Sequence, residues 1–233
     1  MPPQTWIPSH QFGFRKEHST IHQCHRLTDT TLKAFEDRKY CSAVFLDISQ
    51  AFDKVWHPGL LQKIQQTLPL RYFTLLRSYL QHRYLVVPYN NVNSSPVKMH
   101  SGVPQGSSLG PFLYTLYTAD IPQTSTTVLS TFADDTAIVE NPHKTNHCLD
   151  EHPSPSTQDW TQKWQLKINE TKSTHITFTL WKETCPPVHI NQANIPQTET
   201  VKYLGLHFYY SLTWREHVTK IRKRMDIKPQ ELT

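Results

Sequence analysis

The stretch STFADDTAI, residues 130–138, places two adjacent carboxylates between two apolar, β-prone runs. This pattern predicts a hairpin over about 127–140 with Asp134 and Asp135 at its turn. Two negative charges this close repel, so each resists ionising unless a cation compensates it. A lone Asp-Asp pair is most often a solvated turn, because Asp is a common turn residue. The rest of the chain therefore decides whether this hairpin is a functional site.

A third carboxylate follows another apolar run. Asp47 comes directly after residues 43–46, whose continuous apolar sequence AVFL predicts a strand buried on both faces. A carboxylate at the end of such a strand is costly unless it has a partner or a metal. The alternative is that Asp47 caps the following turn, a role that suits Asp53 better. Adjacent strands of one sheet would bring Asp47 close to Asp134 and Asp135.

Three grouped carboxylates without His or Cys suit Mg²⁺ rather than zinc. Two such ions about 4 Å apart clamp the attacking and leaving oxygens of an in-line phosphoryl displacement. One ion lowers the pKa of a nucleophilic hydroxyl, and the other neutralises charge on a departing pyrophosphate. The residues therefore predict a site for two Mg²⁺ ions, with Mn²⁺ as a substitute.

A glycine cluster lies between the two acidic motifs. Three of the six glycines in the chain fall within the loop at residues 101–111 (SGVPQGSSLGP). A Gly-rich loop that leads into a helix lets the backbone approach a ligand and points free N–H groups at it. The loop contains neither GK[ST] nor GxGxxG. It therefore predicts a ligand-facing loop, with the start of an ordinary helix as the alternative.

Composition bounds the partners and the compartment. The 233-residue chain has a net charge of +5 and a pI near 9.0, which fits a polyanionic partner. Its four cysteines form no CxxC pair, so neither a disulfide-linked partner nor a zinc ribbon is expected. No signal peptide and no apolar run of ~18 residues is found. We therefore expect an intracellular protein, in the nucleus or cytoplasm, that is neither secreted nor inserted in a membrane.

Hydrophobic periodicity predicts alternating helices and short strands. Helices are predicted at 19–40, with Ser19 as N-cap, and at 58–68, 70–81, 112–119, 160–169 and 215–224. Besides the hairpin and the strand at 43–46, strands are predicted at 84–89, 97–100, 174–180, 188–190 and, as a pair, within 201–208.

Five motifs in a fixed order resemble those of non-LTR (LINE-type, jockey-like) retrotransposon reverse transcriptases, over about residues 7–225. They are QFGFR (11–15) with HST (18–20), FLDISQAFDKVWH (45–57), SGVPQG (101–106), FADD (132–135) and YLG (203–205). The resemblance implies an RNA-directed DNA polymerase. Such an enzyme extends a DNA primer 3′-OH with dNTPs on an RNA template, using two Mg²⁺ ions.

The resemblance also implies the fold. It is α+β, a right-hand polymerase palm whose antiparallel sheet is backed by helices, with partial fingers and no complete thumb. The reverse transcriptase domain would cover 1–225, with fingers at about 1–40 and 58–100 and palm at about 41–57 and 101–210. Residues 211–233 would be a basic tail that begins a truncated thumb or connection. Upstream finger strands, the rest of the thumb and any endonuclease or RNase H domain are expected to be missing.

The motif positions carry implied catalytic roles. Asp47 and Asp134 would ligate the metals, Asp134 bridging both, with Asp135 beside them and the Ile48 carbonyl as an auxiliary ligand. Lys172 would protonate or stabilise pyrophosphate. Lys172 as a solvated surface charge is the alternative.

Other positions carry implied binding roles. The nucleotide-binding residues would be Phe52, a steric gate against the ribose 2′-OH, together with Gln105, Gly106 and Arg15. The primer and template would contact Tyr203, Leu204 and Gly205 in a primer-grip hairpin, and Gly102 and Pro104 in the loop. Two alternatives stay open, namely that Phe52 belongs to the core and that Arg15 is a surface residue.

The chain departs from the family pattern at three places. Phe132 replaces the usual Tyr, but both are aromatic and little harm is expected. Residues 207–210 lack an expected Asp, and Pro153 and Pro155 fall where a helix is expected. These last two departures, together with the missing ends, motivate another hypothesis. The chain could then be a truncated or decayed element copy without turnover, which retains at most salt-sensitive nucleic-acid binding through Arg15, Lys16 and residues 215–224. A nucleotide-cyclase palm fits less well, because such sites do not use the Gly-Val-Pro-Gln-Gly loop. The sequence carries no signal for an oligomeric state.

Overall fold

The computed structural model describes residues 7–140, 155–181, 185–191 and 193–227. The helices are α1 (Thr20–Glu36), α2 (His57–Thr67), α3 (Leu70–Leu80), α4 (Leu109–Tyr117), α5 (Pro155–Lys163) and α6 (Arg215–Ile227). The longer strands are β1 (Cys41–Leu46), β6 (Thr127–Phe132), β7 (Asp135–Glu140), β8 (Thr174–Phe178), β11 (Thr200–Tyr203) and β12 (Leu206–Tyr209). Two-residue strands are β2 (Tyr84–Leu85), β3 (Pro88–Tyr89), β4 (Val92–Asn93), β5 (Val97–Lys98), β9 (His189–Ile190) and β10 (Ala193–Asn194). The α+β class is therefore confirmed.

A four-stranded antiparallel sheet in the order β6-β7-β1-β8 forms the centre of the fold. All six residues of β1 are buried, as its continuous apolar sequence predicts. Val44 and Leu46 pack on one face of the sheet with residues of α2, α4 and α5. Ala43 and Phe45 pack on the other face with α1, β11 and β12. Alternation along one strand thus connects two apolar clusters, and the sheet is covered on both sides.

The predicted helices form, with shifts of a few residues at the ends of most of them and a larger displacement of α5. Ser19 is the N-cap of α1, and its hydroxyl accepts a hydrogen bond from the His22 amide at 3.4 Å. Helix α5 ends at Lys163, earlier than predicted, because Gln165 adopts a φ of 53° and Ile168 then pairs with Ile48. Pro155 is the first residue of α5, where a missing N–H costs nothing. Pro153 lies outside the described residues.

Lys63 joins three helices through a buried charge. Its ammonium contacts the Tyr117 carbonyl and the Asp120 carboxylate, and it lies 3.8 Å from the centre of the Trp164 ring. The Trp160 indole donates to the same Asp120 oxygen at 2.9 Å. Burial lowers the pKa of Lys63 to about 8, although the bond to Asp120 acts in the opposite direction. This contact fixes α2 against the end of α4 and against α5.

Within the described ranges, no helix combines the length and the apolar character that crossing a bilayer requires.

The buried His175 predicts a loss of stability in mild acid. Burial lowers the pKa of His175 to about 4, and a 2.8 Å contact joins its Nε2 to the Ser42 hydroxyl. Below the ordinary histidine pKa of 6.5, His175 is protonated in the unfolded state, whereas in the native state it stays neutral down to about pH 4. The contribution of His175 to the free energy of unfolding is therefore fully present above pH 6.5. It falls as the pH drops toward 4, by about 2 kcal/mol between pH 7 and pH 5. His10, whose pKa burial also lowers to about 4, acts in the same direction.

Urea unfolding at pH 7 and pH 5 checks this effect. We expect His175→Gln to reduce the pH-dependent loss of unfolding free energy, whatever it does to stability at pH 7. The matched control is His189→Gln, which changes an exposed histidine and should leave that loss as in the wild type. An identical pH dependence in all three proteins would contradict the assignment.

Candidate active site

The predicted hairpin is present and turns through two residues. Phe132 pairs with Asp135, so Ala133 and Asp134 are the central residues of the turn. Ala133 has a φ of 58°, and hairpin turns of this length favour a positive φ because it matches the twist of the strands. The Thr136 hydroxyl donates to the Asp134 carbonyl at 3.2 Å. The two carboxylates therefore project from a short, defined turn.

Asp47 meets the hairpin because β1 pairs with β7. Leu46 is the partner of Thr136, so the next residue, Asp47, lies across from Asp135 at the same end of the sheet. The Asp47 amide donates to the Ser173 hydroxyl at 3.1 Å. This bond ties the end of β1 to the start of β8. The predicted convergence of the acidic residues at one sheet end is thus present.

The carboxylates at this sheet end influence one another electrostatically. Desolvation raises the pKa of Asp135, and the charges of Asp134 and then Asp47 raise it further, against a lowering by Lys202. Asp134 and Asp135 are both solvent-exposed, while Asp47 is half-buried. Among the described residues, no three His, Cys, Asp or Glu side chains are gathered in a cluster that could hold a metal ion. Negative charge is therefore concentrated at this sheet end, but the described side chains alone do not form a complete coordination site for a cation.

The backbone after Asp47 is fixed by a second short pairing. Ile48 forms an antiparallel bridge with Ile168. Two hydrogen bonds form this bridge. The Asn169 amide donates to the Asp47 carbonyl at 2.8 Å, and the Ser49 amide donates to the Lys167 carbonyl at 2.9 Å. These bonds flank Ile48 rather than involve its own carbonyl.

The glycine-rich loop packs on the segment that follows Asp47. The Gly102 amide donates to the Val55 carbonyl and the Val103 amide to the Phe52 carbonyl, both at 2.8 Å. Gly102 has a φ of 91°, and a Cβ there would lie 3.0 Å from the Asp53 carbonyl oxygen. Both its conformation and this close approach therefore require glycine. These contacts bring the two motifs together.

The loop also positions the side chain of Gln105. Its amide nitrogen donates to the Asp53 carboxylate at 2.9 Å, so Asp53 orients Gln105 in addition to lying in the predicted turn. Gly106 has a φ of 79° with open space around it. Pro104 supplies a carbonyl that accepts from the Ser107 hydroxyl at 2.9 Å, just before α4 begins. Sequence reasoning did not identify this role of Asp53, whose partner is 52 residues away.

Phe52 lies between the core and the surface. Its ring stacks on Tyr114, with centroids 4.6 Å apart, and remains half-buried. The Tyr114 hydroxyl is buried and has no hydrogen-bond partner within the described residues. Burial raises the pKa of Tyr114, and the charge of Asp134 raises it further. Phe52 thus packs on a tyrosine whose pKa is raised in part by the charge of the acidic hairpin. The sequence did not indicate this connection.

The other candidate residues occupy different surroundings. Tyr203 is buried, donates to the Ser130 carbonyl at 3.2 Å and packs on Phe45. Leu204 and Gly205 form the turn of the β11–β12 hairpin, both with positive φ. The hydroxyl of Tyr203 therefore anchors this hairpin to β6.

Two predicted cationic side chains lie outside the hydrogen-bonded core of the site. Lys172 is exposed, and its amide donates to the Asn169 carbonyl at 3.3 Å, next to Ser173. It therefore lies beside the Asp47 end of the sheet. Arg15 is half-buried in the segment between Gln11 and α1.

We call residues 54–119, which include the glycine-rich loop, the basic, acid-free lobe. Residues 54–119 contain no Asp or Glu but six basic residues, Lys54, Lys63, Arg71, Arg77, Arg83 and Lys98. The short hairpins in this lobe expose aromatic and aliphatic side chains, among them Tyr84, Tyr89, Val92 and Val97. A cleft of about 640 Å³ lies beside them, with Trp56, Lys98, His100 and Gln165 among its lining residues. Its composition favours contact with a polyanion that carries flat apolar groups.

Comparisons with known proteins agree with this architecture. The family model for reverse transcriptase (RNA-dependent DNA polymerase) matches residues 2–208. The chain is 42% identical to the probable RNA-directed DNA polymerase from transposon X-element of Drosophila melanogaster, over 98% of this chain and 26% of that protein. It is 40% identical to the RNA-directed DNA polymerase from mobile element jockey of Drosophila funebris, over 93% of this chain and 25% of that protein. The chain thus spans about a quarter of the length of these relatives.

A solved structure supports the fold. Apo telomerase from Candida tropicalis, truncated from its C-terminal domain, aligns with a TM-score of 0.57 at 13% identity, over 88% of this chain and 40% of that chain. Similarity at this identity concerns the fold alone. The expected resemblance to jockey-like retrotransposon polymerases is confirmed by the sequence matches. The chain therefore belongs to the reverse transcriptase (RNA-dependent DNA polymerase) family.

Proposed function

We propose that the chain carries the catalytic palm of an RNA-directed DNA polymerase from a non-LTR retrotransposon. The observation that supports this most directly is the meeting of Asp47 with the Asp134–Asp135 turn at one end of the central sheet. In this proposal the palm comprises about 41–57 and 101–210, and partial fingers comprise about 1–40 and 58–100. Residues 1–225 then form the polymerase domain, and residues 211–233 form a basic tail.

Divalent cations fit the charge and donor types of this site. Desolvation raises the pKa of Asp135, and the charges of Asp134 and Asp47 raise it further; a cation would relieve the part that comes from this repulsion. We assign Asp47, Asp134 and the Ile48 carbonyl as ligands of two Mg²⁺ ions, with Asp135 beside them and Mn²⁺ as a substitute. Oxygen donors of this kind suit both ions. When bound, the ions would lower the pKa of the primer hydroxyl and neutralise charge on the leaving pyrophosphate.

The chain's own residues would bind and orient the reactants. The primer 3′ oxygen would lose its proton to solvent water and bond to the α-phosphorus of a dNTP, while the bond from that phosphorus to the bridging oxygen breaks and pyrophosphate leaves. Lys172 would donate a proton to pyrophosphate or offset its charge. Phe52 would exclude the ribose 2′-OH. Gln105, held by Asp53, and Gly106 would face the nucleotide.

Nucleic acid is the partner that best fits the surrounding surface. Gly102 and Pro104 in the loop, and Tyr203, Leu204 and Gly205 in the β11–β12 hairpin, would hold the DNA primer and RNA template. Arg15 would contact the template or the triphosphate. The basic, acid-free lobe supports this assignment, because basic residues attract phosphates and exposed aromatic rings stack on bases.

Removing the charge of Asp134 should strongly slow primer extension. Losing a metal ligand removes several kcal/mol of transition-state stabilisation, so Asp134→Asn should lower the extension rate at least about 100-fold. Extension of a DNA primer on an RNA template with Mg²⁺ measures this rate. Asp29→Asn, an exposed residue on α1, is the control. Equal rates in Asp134→Asn and wild type would refute the catalytic assignment, and RNA binding without extension by the wild type would favour the binding-only alternative.

Asp135→Asn should stabilise the metal-free chain. The pKa of Asp135 is raised, so its favourable contribution exists at low pH and is lost as the pH rises through that raised value. We expect the melting temperature of the variant to exceed that of the wild type by about 1–3 °C near neutral pH. This gap should shrink in acid, and Mg²⁺ should stabilise the wild type more than the variant. Asp159→Asn, at an exposed position on α5, should behave as the wild type, and a destabilised Asp135→Asn would contradict the repulsion argument.

Shortening Phe52 should relax sugar discrimination. Phe52→Val opens space where a 2′-OH would fit, so the ratio of kcat/KM for rNTP to that for dNTP should rise about 10-fold or more. Phe73→Val is the matched control, because Phe73 is also a partly buried ring packed on the same apolar cluster. Steady-state incorporation of single nucleotides measures both ratios. A similar rise in both variants would show that Phe52 acts only as a core residue.

A further inference from the structure

The side chain of Gln11 holds the turn that carries the aspartates. Its carbonyl oxygen accepts from the Ala133 amide at 3.1 Å and from the Gly13 amide at 2.7 Å. Its amide nitrogen donates to the Ala133 carbonyl at 3.4 Å. Gln11 is 2% exposed. One buried side chain thus bonds both backbone groups of the residue with the positive φ.

The segment around Gln11 is itself anchored to the sheet. The Thr131 amide donates to the His10 carbonyl at 3.0 Å, and the Phe12 amide donates to the Thr131 carbonyl at 2.9 Å. Gln11 and Thr131 form a parallel bridge. From α1, the Gln23 side chain donates to the same Thr131 carbonyl at 3.3 Å. Gln11 therefore acts from a fixed support.

Gly13 brings the backbone of this segment against the turn. A Cβ on Gly13 would lie 2.3 Å from the Ala133 nitrogen. Because that atom belongs to the backbone, it could not move aside without moving the turn. Gly13 does not have a positive φ, so its requirement for glycine comes from this close approach alone.

We propose that Gln11 and Gly13 form a clamp that fixes the conformation of Ala133 and thereby directs the Asp134 and Asp135 carboxylates. Alanine rarely adopts a positive φ, and such a conformation persists only where the surroundings over-determine it. In a two-residue turn the dihedral angles of Ala133 set the direction of the next residue. Gln11 is thus a positioning residue for the cation site, and this inference rests on the proposed function.

Gln11→Met removes all three hydrogen bonds of the Gln11 side chain while keeping its length. NMR-detected hydrogen exchange on the metal-free chain should show the amides of residues 133–135 exchanging about 10-fold faster or more, with little change in the middle of β7. Gln197→Met is the matched control, because Gln197 bonds the Thr177 hydroxyl at 3.2 Å beside β8, away from the turn. Gly13→Ala, which leaves Gln11 in place, should loosen the same amides. Unchanged exchange at 133–135 in both clamp variants would overturn the clamp.

Mn²⁺ affinity, measured by EPR, tests whether the clamp directs the carboxylates. We expect Gln11→Met to weaken Mn²⁺ binding about 10-fold and Gln197→Met to leave it unchanged. Adding Ala133→Gly to Gln11→Met should restore part of the affinity, because glycine adopts the positive φ freely. Equal affinity in wild type and Gln11→Met would overturn the positioning role. Absence of Mn²⁺ binding in the wild type would instead refute the proposed cation site, while the exchange experiment would still decide on the clamp.

Discussion

The antiparallel pairing of β1 with β7 is the constraint on which the rest of the structure depends. Because β1 is buried on both faces, its register is fixed by two apolar clusters at once, and a slip by one residue would exchange them. The observed register, with Leu46 opposite Thr136, brings Asp47 to the acidic turn. The position of the loop at 101–106 depends in turn on this segment, because the loop hydrogen-bonds Phe52 and Val55, a few residues after Asp47. Apolar packing therefore sets the geometry of the charged site.

Local patterns in the sequence predicted the parts of this site and the meeting of its acidic residues, but not the side-chain hydrogen bonds that join the parts. The hairpin, the buried strand and the glycine loop depend on alternation, apolar runs and backbone freedom, which a single sequence displays. The bond from Gln105 to Asp53 and that from Gln11 to Ala133 span 52 and 122 residues, so only the tertiary fold creates them. Tyr203 is a similar case. Its motif position indicated a primer contact, but the hydrogen bond from its hydroxyl to the distant Ser130 carbonyl is visible only in the tertiary fold.

One basic residue of the basic, acid-free lobe, Lys63, is buried and paired with a carboxylate. Lys63 is 5% exposed and is paired with Asp120, the first acid after the lobe. Its ammonium lies among the rings of Tyr117, Trp160 and Trp164. Its charge therefore stabilises the helical layer and is not available to a phosphate. A count of basic residues in this lobe thus overstates by one the positive charge that it can offer to a polyanion.

The short parallel pairing of residues 10–12 with β6 also shields the sheet. β6 is an outer strand of the four-stranded sheet, and such strands present unpaired backbone groups that can recruit another chain. The bonds to His10 and Phe12 occupy both the amide and the carbonyl of Thr131. The segment that supports the acidic turn therefore also covers this strand edge at Thr131, so the shape of the site and the protection of this part of the edge depend on the same few backbone contacts.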